Sequence, residues 1–137
     1  MTTGLEPRQI RMLRSAINAF PAAWRFEGER QGAVEAETTN PAQSIVLRIA
    51  ASAESESILI TLLRAGDRAF MAEAHFPLSA WQASKEFLEG IALEAFVIGV
   101  DERDGVWAGS MILRSADLPR RRDFSYVRSW LATYDLN

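Results

Sequence analysis

The chain predicts an α+β fold: a single domain over residues 1–137, in the order α-β-β-β-β-β-α-β-β-α, with a curved, mainly antiparallel sheet of about seven strands and three helices packed largely on one face. Three observations lead there. Apolar residues recur at steps of three and four in three separate stretches, as amphipathic helices require. Between them lie runs of strand length that alternate apolar and polar residues or are apolar throughout. The links between these runs are short and hold Gly, Pro, Asn or Asp, so successive strands turn back on one another. With 48% hydrophobic residues the chain can bury a core without disulfides or metal.

The first helix is predicted over 8–20, with Ile10, Leu13, Ile17 and Phe20 on one side and Arg8, Arg11, Ser15 and Asn18 on the other. Pro7 suits its first turn and Pro21 ends it. Trp24 and Phe26 then alternate with Arg25, Glu27 and Glu29, a turn falls at Arg30, Gln31 and Gly32, and Val34 and Ala36 return opposite Glu35 and Glu37. In that register Glu27 faces Glu35 and Arg25 faces Glu37. Strands follow at 44–51, 57–64 and 69–76, with Phe70, Ala72, Ala74 and Phe76 on one face of the last. Ser79 and Gln82 match a capping box that would open a helix, and Gly90 is its expected left-handed stop. A hairpin at 93–100 and 106–113 turns through Asp101, Glu102, Arg103, Asp104 and Gly105, and places Trp107, Gly109, Met111 and Leu113 on one side. Asp123 would cap a last helix at 124–134, with Phe124, Val127, Leu131 and Tyr134 as its apolar stripe.

The reactive chemistry is sparse. There is no cysteine, one histidine (His75) and one lysine (Lys85), so thiolate nucleophiles and Cys- or His-rich metal sites are excluded and no cofactor is expected. A Ser-His-Asp relay would have to run through His75 alone. No catalytic residues and no metal ligands are assigned. No stretch approaches the ~18 uncharged apolar residues of a membrane span, and the N-terminus lacks a basic start followed by an apolar run, so no membrane contact and no signal peptide are expected. Absence of cysteine fits a reducing cytoplasm. The net charge of −3 argues against nucleic acid, which demands a basic face. The charge is uneven: residues 1–25 and 111–137 are Arg-rich, whereas 26–59 and 77–110 are acidic.

Two groups of acids stand out. Glu27, Glu29, Glu35 and Glu37 form a strip that is either a solvated strand face or a docking surface for a basic partner. Asp101, Glu102 and Asp104 make an acidic loop tip without the alternating oxygen ligands of a calcium-binding loop. Trp107 and Met71 are the apolar anchors expected beside these acids, with Phe96 and Ile98 in support. Arg120, Arg121 and Arg122 precede the last helix and are expected to pair with the Asp101–Asp104 tip.

These features favour a non-catalytic protein-binding module. By analogy of class, the expectation is a small cytoplasmic bacterial inhibitor of the immunity-protein or antitoxin kind, which neutralises a partner with a basic surface through an acidic or apolar sheet surface. In element order, size and acidity the chain also broadly resembles type III secretion chaperones. That resemblance implies a homodimer holding an extended effector segment on apolar sheet surface, although five strands before the middle helix exceed that family's pattern. A third reading is a small-molecule binder or hydrolase, which requires His75, Glu73 or Glu94 to line a cleft.

Overall fold

The computed structural model describes residues 7–18, 25–28, 33–52, 56–120 and 123–137. Along them run α1 (Pro7–Asn18), β1 (Arg25–Gly28), β2 (Ala33–Thr39), β3 (Ile45–Ser52), β4 (Ser57–Arg64), β5 (Phe70–Pro77), α2 (Trp81–Ala92), β6 (Phe96–Arg103), β7 (Val106–Arg114), a 3₁₀ turn (Ser115–Arg120) and β8 (Tyr126–Arg128). The α+β class and the antiparallel pairing are as expected. The single sheet of about seven strands is not: among the described residues eight strands form two sheets, ordered β1-β2-β3-β4-β5 and β7-β6-β8.

The division has a physical cause in β6. Val97, Ile98, Gly99 and Val100 are all buried, so this strand needs cover on both faces. Ile98 and Val100 join the main core with Ile49, Ile60, Leu62, Leu88, Ile91 and Trp130. Val97 faces a smaller core with Leu113, Leu118, Val127 and Phe124. β6 therefore sits between β7 and β8 as a middle strand rather than extending the first sheet. Phe87 packs tilted against Phe76 and stacked on Phe96, with ring centres 5.7 and 5.9 Å apart, and ties β5, α2 and β6 together.

Both helices differ in detail from expectation. α1 spans Pro7–Asn18, and residues 19–24, with Phe20, Pro21 and Trp24, lie outside the described set. α2 has Ala80 at its N-cap with no side-chain cap, so the Ser79–Gln82 capping box does not form, and Gln82 reaches Glu86 instead. Gly90 does not stop the helix. It is buried inside it, and a Cβ there would collide with the Phe96 ring, so its role is close approach. The left-handed residue past the helix end is Glu94, with φ +57°.

The third helix is absent, which is the largest correction. Its segment becomes β8 followed by a tight turn, and the Val127–Leu136 bridge folds the tail back on β8. The amides that a helix would have used are taken by side chains. Leu131 N and Thr133 N donate to Glu94 Oε2, both at 3.1 Å, Tyr134 N donates to Ser129 Oγ, and Ser129 N donates to Asp135 Oδ1. Such bonds compete directly with helix formation. The Trp130 carbonyl accepts from Asn40 Nδ2 at 3.0 Å, and Asn40 Oδ1 accepts from Ser44 N and Ile45 N, so one buried amide joins the β2–β3 turn to the tail.

Candidate functional site

The first sheet and the second meet at two bulges. In β5 the ladder passes from Leu62↔Ala72 to Leu63↔Phe70, leaving Met71 as the extra residue. In β7 it passes from Asp101↔Gly109 to Glu102↔Trp107, leaving Ala108. Each bulge reverses the faces beyond it, because a one-residue step exchanges the two sides of a strand. Phe70 is thereby separated from the face of Ala72, and Trp107 from that of Gly109 and Met111, contrary to the alternation read from sequence. The outcome is a seam. Trp107 Nε1 donates to the Met71 carbonyl at 3.0 Å, and its ring meets Phe70 edge to face at 5.2 Å. Met71 itself is fully buried, which removes it as a surface anchor, and Ile98 is likewise buried. Phe96 packs against Gly90 and Phe87.

What remains exposed is the tip of the β6–β7 hairpin. The five-residue loop expected there is a two-residue turn: Asp104 (φ +54°) and Gly105 (φ +78°) both lie in the left-handed region, as a type I′ turn requires. Beyond it Val106 is 67% exposed and Trp107 43% exposed, even though the indole is hydrogen-bonded and ring-packed. Asp104 stands exposed in the turn. Asp101 accepts from Ser125 Oγ at 3.2 Å and lies 4.0 Å from Arg103. Glu102 is drawn inward by Arg64 at 3.3 Å. Arg64 also holds Asp67 at 2.6 Å, and that hydrogen bond keeps the Asp67 carboxyl low, at about 2. The same guanidinium lies over the Tyr126 ring at 5.7 Å, with Arg128 at 4.8 Å.

The glutamate strip is only partly brought together. β1 pairs Arg25 with Glu37, as expected, but a shift between Phe26 and Gly28 puts Gly28 opposite Glu35, so Glu27 does not face Glu35. Glu35 bonds Arg48 at 3.4 Å and Glu37 bonds Arg68 at 2.6 Å, so both are matched by cations of the same chain. Glu29, the turn at 30–32, and Arg121 and Arg122 lie outside the described residues. The turn between β4 and β5 thus offers one arginine to each acidic group, Arg68 to the strip and Arg64 to the hairpin.

Comparison with family models, with curated proteins and with solved structures finds no match. The site must therefore be judged on its chemistry. Among the described residues no group of three His, Asp or Glu is placed to hold a metal, and no helix is long and apolar enough to cross a membrane. His75 lies on the exposed face of β5 with Nε2 3.1 Å from Glu73 Oε1. A cleft of about 300 Å³ between the 3₁₀ turn and the tail is lined by Leu118, Pro119, Tyr134 and Leu136, and a broad one of about 690 Å³ by Asn40, Gln43, Gly66 and Arg68. His75, Glu73 and Glu94 line neither of these two clefts.

Sequence reasoning missed a second apolar surface. Leu93 is 79% exposed at the end of α2, and Leu131, Tyr134 and Leu136 are exposed on the tail. As a helical stripe Leu131 and Tyr134 should have been buried. The signal was present in Ser129, Thr133 and Asp135, short polar residues of types that favour local hydrogen bonding in turns over helix interiors.

Proposed function

We propose that this chain is a non-catalytic protein-binding domain whose β6–β7 hairpin receives an extended partner segment bearing apolar residues and a cation. The observation that carries this is Trp107: fixed by the Met71 carbonyl and Phe70, yet 43% exposed on an edge strand beside Val106. A rigid, half-exposed indole loses little freedom on binding and is the commonest kind of interface anchor. β7 runs nine residues, Val106–Arg114, with no proline or lysine and a single charge at its end, so the bulge at Ala108 is its one guard among those that edge strands carry. Strand addition along such an edge supplies affinity through the main chain and specificity through alternate side chains. Asp104 at the turn favours a basic residue in the incoming segment. Inhibition of a partner in the cytoplasm, in the manner of an immunity protein, is the biological form we favour.

Selection of random ten-residue peptides on the immobilised protein tests this. Enriched peptides should alternate apolar residues and carry Lys or Arg. Trp107→Ala should weaken them by roughly thirtyfold, the ~2 kcal/mol of an interface anchor. Absence of enrichment, or equal binding by Trp107→Ala, contradicts the proposal.

A further inference from the structure

We infer that the Asp104–Gly105 peptide at the tip of the β6–β7 hairpin is a site of spontaneous covalent modification. The Asp104 side chain closes on the Gly105 amide to a cyclic imide, which reopens in water as isoaspartate. This does not depend on what the hairpin binds. Position 104–105 is the one place in the sequence where Asp or Asn precedes Gly.

The backbone there is already half-way to the ring. Closure needs the Gly105 nitrogen eclipsed with the Asp104 Cβ, and in an L-residue that sets ψ at about −120°, the value of a type II′ turn. Types I′ and II′ share a positive φ at the first turn residue, and Asp104 holds it at +54°. The two turns then differ by a flip of the peptide plane between Asp104 and Gly105. Gly105 must exchange its φ of +78° for a negative one, which glycine does freely. Both turns close a two-residue hairpin, so Arg103 and Val106 stay paired. No atom beyond the chain neighbours lies within 4 Å of where a Gly105 Cβ would stand, and the Gly105 amide donates to no backbone carbonyl among the described residues. The first position of a type II′ turn favours Gly over Asp, so the flipped turn is short-lived until the ring traps it.

The Gly105 nitrogen attacks Cγ of the protonated Asp104 carboxyl. The N–Cγ bond forms, the bond from Cγ to its hydroxyl breaks, and the hydroxyl leaves with the amide proton as water. One water then adds to either imide carbonyl. Cleavage of the new bond restores aspartate; cleavage of the original peptide bond leaves Gly105 joined through Cγ. The isomer has the same mass but one more carbon in its main chain, and so no longer fits the turn that pairs Arg103 with Val106. Asp104 is exposed, with no hydrogen bond or ion pair to its carboxyl among the described residues. Asp67 is the contrast. Its carboxyl is tied to Arg64 and Ala69 N, which keeps it ionised with a pKa of about 2, and Arg68 follows it in place of glycine.

Ageing the full chain in warm, mildly acidic buffer, then adding hydroxylamine, which cuts a chain at an imide, tests the inference. Intact mass should show a species lighter by one water, and hydroxylamine should split the chain between Asp104 and Gly105. Asp104→Asn, which expels ammonia in place of water, should form the imide at least about tenfold faster. Asp104→Glu, which would need a six-membered ring, should form it at least about tenfold more slowly. The folded chain should react within about tenfold of the rate in guanidinium, since one peptide plane has to turn and nothing else. Circular dichroism confirms that the aged protein stayed folded. Cleavage elsewhere in place of 104–105, or an Asp104→Asn variant that stays intact when folded and reacts only when unfolded, overturns the inference.

Discussion

Glu94→Ala is expected to destabilise the protein by about 2–4 kcal/mol, since a buried charged acceptor serving several donors is lost at once. The carboxylate is 7% exposed and holds Leu131 N, Thr133 N and Thr133 Oγ1, the last at 2.5 Å. Burial alone would raise its pKa. Hydrogen bonds from Ser129, Thr133 and Leu131 outweigh that and leave the value below the ordinary one. The sign of the pH dependence follows. A carboxyl with a lowered folded pKa stabilises fully above its unfolded value, near ~4.3, and loses that contribution as pH falls through the folded value. Urea unfolding at neutral pH and at a series of pH values below about 4.3 should show the wild type losing stability on the acid side. Glu94→Ala should be weaker throughout and should lose less between the two ends of the series. A variant equal to wild type at neutral pH would mean that the tail is not held by this carboxylate.

Trp130→Ala should destabilise the fold by about 3–5 kcal/mol, the range for removing a large buried aromatic side chain. Trp130 is 2% exposed and packs in the main core with strands of the first sheet, α2 and β6. Its carbonyl is held by Asn40, so the backbone cannot move in to close the space left by the indole. Trp130→Phe should recover part of the loss. Urea midpoints at neutral pH measure both, and a loss under about 1 kcal/mol for the alanine variant would show that the tail is not part of the core.

The elements that sequence made legible are those with local signals. Ile45–Ser52 and Ser57–Arg64 are rich in β-branched residues and pair over their full length. The recurrence of apolar residues at steps of three and four located α2. What failed depended on distant partners. The last helix was lost because Glu94, 37 residues before Leu131, takes that residue's amide. Trp107 was assigned the wrong face because one extra residue, Ala108, reverses the alternation, and a bulge has no clear trace in period-two patterning. Met71 was misplaced by the matching bulge in β5. The acidic tip was located correctly, but which of its acids remain exposed depends on Arg64, 38 residues from Glu102.

A photoreactive amino acid at Val106, compared with one at the exposed Glu86 of α2, gives the most direct test that the β6–β7 hairpin is the docking element. Irradiated at working concentration in its native host, the Val106 variant should give a discrete higher-mass adduct, and the Glu86 variant should give none. An adduct of twice the chain mass would identify a second copy, and one of any other mass a different protein at the same edge. Equal adducts at both positions, or none at Val106, would contradict the assignment of the hairpin as a binding surface.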